Sequence, residues 1–249
     1  RVFLCLKLQE GAGDGLCVGS IETPGRLVGQ QQRGALNQRT GDRRALALAA
    51  REQAGAVTSP VGKADALQHF AGPRVPPGGV ERLRVGLHCH VAVCQAMRNV
   101  SRHHFVDSAL ATQAYEDTSL PIGLGQTISK PSVVARMLSI LHDGASARSR
   151  GSLGRVLEIG TGCGYQTALL GQMATRVLSI ERLKPLHDRA RSHLGELPRG
   201  HIRLVYGDGR LGHAPNAPYD SIIAAAGGDQ LPPAWLEQLA DGGRLVAPM

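Results

Sequence analysis

The sequence predicts an α/β protein built on a doubly wound, mostly parallel β-sheet. In its second half, short runs of β-branched and aliphatic residues alternate with longer helix-forming segments. Such alternation is typical of parallel sheets with helices on both faces. Glycines at alternate positions, Gly160, Gly162 and Gly164, follow the first of these strands. Sheets of this kind bind ligands in that position, beyond the carboxyl ends of the strands.

The chain divides into two unequal parts. Residues 1–78 show no sustained helical or strand period and are dominated by Gln, Gly, Arg and Ala. Such a composition buries little apolar surface, so we expect a poorly patterned, flexible extension. The run VPPGG, Val75 to Gly79, indicates a break. We expect one domain over residues 79–249.

Two helices are expected ahead of the sheet. The segment VERLRVGLHCHVAVCQAMRNV has an apolar stripe at helical spacing, formed by Val80, Leu83, Leu87, Val91, Cys94 and Met97. In SKPSVVARMLSILHDG, Pro131 falls at a first-turn position and Gly144 ends the helical pattern.

The strands and helices of the sheet region follow in order. The expected strands are RVLEIG, RVLSIE, IRLVYGD, YDSIIAAA and GGRLVAPM. The expected helices are YQTALLGQMA, PLHDRARSHLGEL and PPAWLEQLA.

Composition argues against several classes of protein. The net charge of +8 is spread over both parts of the chain, and aromatic residues make up only 3%. Single-stranded nucleic acids are bound by clustered charge and stacking rings, so no nucleic-acid partner is expected. No apolar run approaches the roughly 20 residues of a membrane span. We expect a soluble, cytoplasmic protein that does not bind membranes.

The cysteines give no sign of a disulfide framework or a metal site. They number five, an odd count, and no C-x-x-C pair occurs. His88, His90 and Cys94 could suggest zinc, but neighbours two apart on a helix face away from each other. No metal is predicted.

The glycine run is explained best by a nucleoside ligand. Glycines permit positive φ and let a ligand lie against the main chain. Glu181 ends the second strand, where a carboxylate can accept ribose hydroxyls. A tight strand-to-helix turn is the alternative for the glycines alone.

The spacing of the glycines indicates which nucleoside-containing cofactor is expected. A dinucleotide fingerprint needs a glycine where Tyr165 stands. The pattern here is E-x-G-x-G-x-G led by Glu158, which is the pattern of S-adenosylmethionine-dependent methyltransferases. Asp208, in YGDGR after the third strand, is placed to receive an adenine amino group, although an ordinary turn residue is the alternative.

Several segments together resemble the bacterial protein-L-isoaspartate O-methyltransferases. The resemblance spans about residues 80–249, and its most selective part is GQTIS, Gly125 to Ser129. The segments that carry it are FVDSALATQAYEDTSLPIGLGQTISKPSVVARML, VLEIGTGCGYQTALL, VLSIERLKPLHDRAR, YGDGR and PYDSIIAAAGGDQLPPAWLEQLADGGRLVAPM.

This resemblance implies a Rossmann-like, class I methyltransferase fold. It also implies S-adenosylmethionine as cofactor and transfer of its methyl group to the α-carboxylate of L-isoaspartyl residues in damaged proteins and peptides. Ser129 would be the active-site serine, with Thr127 beside it. The implied cofactor-binding residues are Glu158, Gly160, Thr161, Gly162, Gly164, Glu181, Arg182, Gly207, Asp208 and Gly209.

The sequence departs from this family in places. Lys130, Ser132, Ala225 and Gly228 differ from the residues typical of bacterial members. The family continues with a closing hairpin beyond Met249, so the last strand is expected at an exposed edge. Ser129 could also serve as a helix N-cap ahead of Pro131.

Two other functions remain open from the sequence. One is a methyltransferase of another substrate, although DSIIAAAGG lacks the Asp/Asn-Pro-Pro-Tyr/Phe run of base N-methylation. The other is a non-catalytic, cofactor-binding protein. An NAD-dependent oxidoreductase is disfavoured by Tyr165.

Overall fold

The computed structural model describes residues 2–7, 17–20, 89–195, 200–228 and 230–248. Its strands are β1 Val2–Lys7, β2 Cys17–Ser20, β3 Leu120–Gly123, β4 Gln126–Ile128, β5 Arg155–Ile159, β6 Arg176–Glu181, β7 Ile202–Tyr206, β8 Tyr219–Ala224 and β9 Leu239–Pro248. Its α-helices are α1 Val91–Asn99, α2 Pro131–His142, α3 Ala145–Arg150, α4 Tyr165–Met173, α5 Lys184–His193 and α6 Pro233–Glu237.

The main sheet has seven strands in the order β2-β1-β9-β8-β5-β6-β7. All neighbours are parallel except β1 and β2, which are antiparallel. The chain runs outward from β5 to β7, then returns to β8 on the other side of β5. This reversal opens a crevice at the carboxyl ends of β5 and β8. The predicted α/β, mostly parallel fold is confirmed.

Strands β1 and β2 lie in a part of the chain for which the sequence predicts no strand. The backbone of β1 pairs with β9, with Phe3 opposite Leu245 and Leu4 opposite Val246. The expectation of an exposed edge at β9 is therefore wrong, because β1 uses the hydrogen-bonding groups of that edge. Most of residues 1–88 lie outside the described residues, and the division into an extension and a domain stays a prediction.

Side chains of the central strands alternate between two apolar clusters, because successive residues of a strand face opposite sides. On one side Val156, Val177 and Ile223 pack with α1, α2 and α4. On the other side Leu157 and Ile222 pack in a smaller cluster that includes Trp235 of α6. The helical cover on the two faces is thus unequal among the described residues.

The buried face of helix α1 differs from the apolar stripe that the sequence predicts. Its buried face is Val93, Ala96 and Met97, whereas Val91 is 81% exposed. The first half of the predicted helix, residues 80–88, lies outside the described residues.

A disulfide joins Cys89 and Cys94, which corrects the expectation of none. Their Cα atoms are 5.9 Å apart, within the range that a disulfide can bridge. The helical turn that begins at Val91 brings two residues five apart in sequence to this separation, which counting the cysteines does not reveal.

Over the described ranges, no helix combines the length and apolar character needed to cross a membrane.

Candidate functional site

A cavity of about 910 Å³ lies at the carboxyl ends of the central strands. Its volume falls in the range of small-molecule and cofactor sites. Eight of the residues that the sequence predicts for the site line it: Thr127, Ser129, Gly160, Gly162, Glu181, Arg182, Asp208 and Gly209. The other four, Glu158, Thr161, Gly164 and Gly207, lie outside its lining.

The loop after β5 carries the three glycines in left-handed conformations. The φ angles of Gly160, Gly162 and Gly164 are +89°, +56° and +91°. Residues with a side chain rarely adopt such angles, which explains the glycines at these positions. The amides of Gly160 and Thr161 donate to the Ile180 carbonyl at 2.9 and 3.3 Å, which fixes this loop to β6.

Gly164 has a packing role. A Cβ added there would lie 3.3 Å from the side chains of Ala190 and Leu194. The start of α4 can therefore approach α5 closely.

Glu181, at the end of β6, is 6% exposed and accepts two main-chain hydrogen bonds. Its Oε2 accepts from the Gly162 amide and its Oε1 from the Leu183 amide, both at 2.9 Å. A carboxylate has about four lone-pair sites, so each oxygen can accept one more donor. This acceptor faces the cavity, with exposed Arg182 beside it.

Glu158 and Thr161 lie outside the cavity lining, and their side chains fix the position of the glycine loop. Glu158 is fully buried and accepts from Gln166 Nε2 at 3.1 Å and Thr167 Oγ1 at 2.5 Å. Burial raises the pKa of the Glu158 carboxyl to about 7. The Thr161 hydroxyl bonds the Ser179 hydroxyl at 2.6 Å. Their direct contact with a cofactor stays a prediction, and their contacts here hold α4 against β5 and β6.

The loop after β7 presents Asp208 to the cavity. Asp208 Oδ1 accepts from the Arg210 amide at 2.9 Å, which forms the turn that exposes the carboxylate. The Gly207 amide donates to the Glu181 carbonyl at 3.0 Å and keeps the ends of β6 and β7 in register.

Gly209 and Trp235 form the floor beside this turn. A Cβ on Gly209 would lie 2.6 Å from Ile159 Cγ2, so no side chain fits there. Trp235 Nε1 donates to the Gly209 carbonyl at 2.8 Å. Trp235 is the single tryptophan of the chain.

A second wall of the cavity is the β3–β4 hairpin, residues 120–128, called the hairpin below. Ile122, Gln126 and Thr127 line the cavity from it, and Ser129 follows directly. Thr127 is exposed and Ser129 half-buried.

Ser129 does not cap α2, so that alternative is wrong. Pro131 occupies the first turn as predicted, and this makes Lys130 the N-cap residue. The Ser132 amide donates instead to Asp117 Oδ1, at 2.9 Å. Within the described part of the chain the Ser129 hydroxyl makes no hydrogen bond, so it can donate to a ligand.

Several lining residues were not predicted from the sequence. They include Ile122, Gln126, Leu183, Leu186, Arg210 and Trp235. The rule that loops after parallel strands meet at one edge could have identified Leu183 and Arg210. Ile122, Leu186 and Trp235 have no local motif. Ala225 and Gly228, where the sequence departs from the family, also line the cavity.

No cluster of three or more His, Cys, Asp or Glu side chains suited to a metal ion occurs among the residues that the structure describes. His88, one of the three considered from the sequence, lies outside them.

Known proteins are similar to part of this chain in sequence and in fold. A family model described as protein-L-isoaspartate(D-aspartate) O-methyltransferase (PCMT) matches residues 80–249. The protein-L-isoaspartate O-methyltransferase of Methylibium petroleiphilum is 66% identical over 157 residues, which are 63% of this chain and 57% of that protein. The Leptothrix cholodnii enzyme of the same name is 64% identical over 170 residues, 68% of this chain and 59% of that protein.

The solved structure of a protein-L-isoaspartate O-methyltransferase superposes with a TM-score of 0.58 and 27% identity. The match covers 68% of this chain and 54% of that one. The chain therefore spans less than two thirds of the length of the relatives that it matches. Because the family model covers more than half of the chain, from residue 80 onward, this protein belongs to the protein-L-isoaspartate(D-aspartate) O-methyltransferase family.

Proposed function

We propose that this protein transfers a methyl group from S-adenosylmethionine to the α-carboxylate of L-isoaspartyl residues in damaged proteins and peptides. The observation that carries the proposal is a single cavity with two unlike walls. The strand ends present glycine main chain and the carboxylates of Glu181 and Asp208. The hairpin side presents the hydroxyls of Thr127 and Ser129.

The strand-end wall fits an adenosyl group. Gly160 and Gly162 leave room against the main chain, and Glu181 keeps acceptor capacity for ribose hydroxyls. Asp208 can accept from an adenine amino group. When bound, S-adenosylmethionine supplies an electrophilic methyl group on a positively charged sulfur.

The substrate side needs orientation more than proton transfer. A carboxylate is ionised at neutral pH, so no general base has to remove a proton from the nucleophile. The Ser129 hydroxyl donates a hydrogen bond to this anion and aligns one oxygen with the methyl group. Positioning of this kind contributes up to about 7–11 kcal/mol in well-oriented reactions.

Apolar lining favours the reaction further. The transfer joins an anion to a cation and leaves two neutral products, so water that hydrates the separate charges slows it. The apolar side chains of Ile122, Leu183 and Leu186 and the ring of Trp235 line part of the cavity, and there they offer few hydrogen-bonding partners to water.

The remaining site assignments follow from the same geometry. We assign contact with the cofactor to Gly160, Gly162, Glu181, Arg182, Asp208 and Gly209. Glu158, Thr161, Gly164 and Gly207 act by holding these loops. Damaged proteins of the cytoplasm are the proposed substrates, and nucleic acids are not.

Two measurements test the proposal. Calorimetry with S-adenosylhomocysteine should give binding, whereas NAD should give none. Methyl transfer should occur with an L-isoaspartyl peptide and not with the same peptide containing a normal aspartyl residue. Binding of S-adenosylhomocysteine without transfer to either peptide would favour a non-catalytic cofactor-binding protein, and transfer to another substrate alone would reject the isoaspartyl assignment.

A further inference from the structure

The hairpin carries the substrate side of the cavity but is not a strand pair of the main sheet. It forms a separate two-stranded sheet, with Leu120 opposite Ile128 and Pro121 opposite Thr127. At the turn of the hairpin, Gly123, which ends β3, and the next two residues, Leu124 and Gly125, all have positive φ angles. Contacts outside the main sheet must therefore fix the position of Thr127 and of the segment that leads to Ser129.

One contact is the side chain of Ile122. It is 5% exposed, and its Cδ1 would lie 3.3 Å from a Cβ added to Gly162. The hairpin thus rests directly on the glycine loop. This contact is apolar and sets a distance, but it does not set the orientation of the backbone.

The second contact comes from Arg189 of α5. Its Nη1 donates to the main-chain carbonyl of Ile122 at 2.5 Å. A Cβ at Gly123 would lie 3.7 and 3.9 Å from the Nη1 and Nη2 atoms, so the guanidinium lies along the turn itself. A charged donor to a carbonyl forms a stronger and more directional bond than an uncharged one.

Helix α5 connects this contact to the cofactor side. Leu186, which lines the cavity, precedes Arg189 by three residues, and residues at this spacing share a helix face. Leu183, just before α5, donates its amide to Glu181 Oε1. One short helix therefore contacts the cavity at one end and the hairpin through Arg189.

We propose that Arg189 is a positioning residue that holds the hairpin over the cavity, so that Thr127 and Ser129 face the reacting carboxylate. It acts through the Ile122 carbonyl and does not itself line the cavity. The consequence for the substrate rests on the function proposed above. The consequence for the hairpin does not, because it concerns the protein alone.

The test compares Arg189→Ala and Arg189→Lys with Arg191→Ala. Arg191 is exposed on the same helix, and its side chain makes no hydrogen bond within the described ranges. Hydrogen exchange of the amides in residues 120–128 is measured for each variant in the presence of S-adenosylhomocysteine. We expect exchange to rise about tenfold in Arg189→Ala, by an intermediate factor in Arg189→Lys, which keeps a charged donor group but not the planar guanidinium, and to stay unchanged in Arg191→Ala.

Steady-state kinetics give the second readout. In Arg189→Ala the KM for an isoaspartyl peptide should rise about tenfold, with kcat and S-adenosylhomocysteine affinity each changed less than about twofold. Equal hairpin exchange in Arg189→Ala and Arg191→Ala would overturn the proposal. The proposal would also be overturned if Arg189→Ala lost S-adenosylhomocysteine affinity by the same factor as its peptide KM rose.

The two proposals fail separately. Absence of methyl transfer in the wild-type protein would reject the function, while hydrogen exchange would still decide whether Arg189 holds the hairpin. If Arg189→Ala does not fold, the exchange of Arg189→Lys against wild type decides it, and identical exchange there rejects the proposal.

Discussion

The two walls of the cavity are held in different ways. The strand-end wall, which is the set of loops after β5, β6 and β7, is fixed by the hydrogen bonds of a seven-stranded sheet and by buried polar contacts beneath it. The hairpin wall is a two-stranded sheet whose side chains at Gln126 and Thr127 are exposed.

Under the function proposed above, the two walls recognise different kinds of ligand, and the difference suits both. A cofactor has one shape, so a rigid surface made largely of main chain can hold it. Damaged residues occur in many sequences, and a hairpin attached by a few contacts can accommodate peptides of different shape. Changes to the strand-end wall should therefore alter cofactor affinity, and changes to the hairpin wall should alter the use of peptide.

The largest expected effect is that of Gly162→Val on the strand-end wall. Gly162 has a φ of +56°, where a β-branched residue is strained by on the order of 1–3 kcal/mol. The added Cβ also approaches Ile122 to 3.3 Å. We expect S-adenosylhomocysteine affinity to fall more than about 100-fold by calorimetry.

Gly151→Val is the matched control for this change. Gly151 has a similar φ of +64°, and a Cβ there would meet nothing within 4 Å. Both variants should lose similar stability in urea unfolding, and only Gly162→Val should lose the ligand. Equal S-adenosylhomocysteine affinities in the two variants would show that the glycine loop does not contact the cofactor.

Ser129→Ala tests the hairpin side. Loss of a charge-assisted hydrogen bond of about 1.5–3 kcal/mol should lower kcat/KM for an isoaspartyl peptide by about 10–100-fold. Cofactor affinity should not change, since Ser129 lies on the other wall. Ser132→Ala, whose hydroxyl makes no hydrogen bond among the described residues, is the control. Unchanged turnover in Ser129→Ala would remove this hydroxyl from the mechanism.

The sequence could predict most of the strand-end wall because its signals are local. A strand, a glycine and an acid are neighbours in the chain, and parallel strands place their carboxyl ends at one edge. Gly160, Glu181 and Asp208 could be placed in one site for that reason. The family resemblance added Ser129 and Thr127.

The sequence could not predict contacts that join distant segments through the main chain. Arg189 binds the carbonyl of Ile122, 67 residues away, and a carbonyl acceptor has no signature in the sequence. The pairing of β1 with β9 likewise depends on backbone groups. The N-cap of α2 shows a third limit, because a shift of one residue, from Ser129 to Lys130, changes which residue occupies that position.

A smaller effect is expected from Glu158, which is buried behind the strand-end wall. Burial raises the pKa of its carboxyl from 4.5 to about 7. Since the folded state binds the proton more tightly than the unfolded state, this group's stabilising contribution is complete below pH 4.5 and is lost as pH rises through 7. The free energy of unfolding should fall by about 2 kcal/mol between pH 5 and 7 from this group.

Glu158→Gln should remove this part of the pH dependence. The amide does not titrate and can still accept from Thr167 Oγ1. Urea unfolding at pH 5, 6 and 7 gives the comparison between variant and wild type. Parallel pH profiles for the two proteins would contradict the assignment of the slope to Glu158.

Glu181→Gln should give the smallest effect, because it removes one acceptor and leaves the wall in place. Both carboxylate oxygens already accept a main-chain amide, from Gly162 and from Leu183. A glutamine has one oxygen for these two amides and points an N–H group at the other, so less acceptor capacity remains for a ribose hydroxyl. We expect S-adenosylhomocysteine affinity to fall about tenfold, as for loss of one hydrogen bond to a charged group.

Trp235 reports this change directly, since the single tryptophan lines the cavity and its fluorescence can be titrated with S-adenosylhomocysteine. Glu237→Gln removes the same charge from an exposed position at the end of α6 and is the control for net charge. If both variants lose affinity equally, the effect comes from the general field of the protein. A loss confined to Glu181→Gln, with an unchanged ratio of kcat/KM for two isoaspartyl peptides of different sequence, would place recognition of the cofactor and choice of substrate on separate walls.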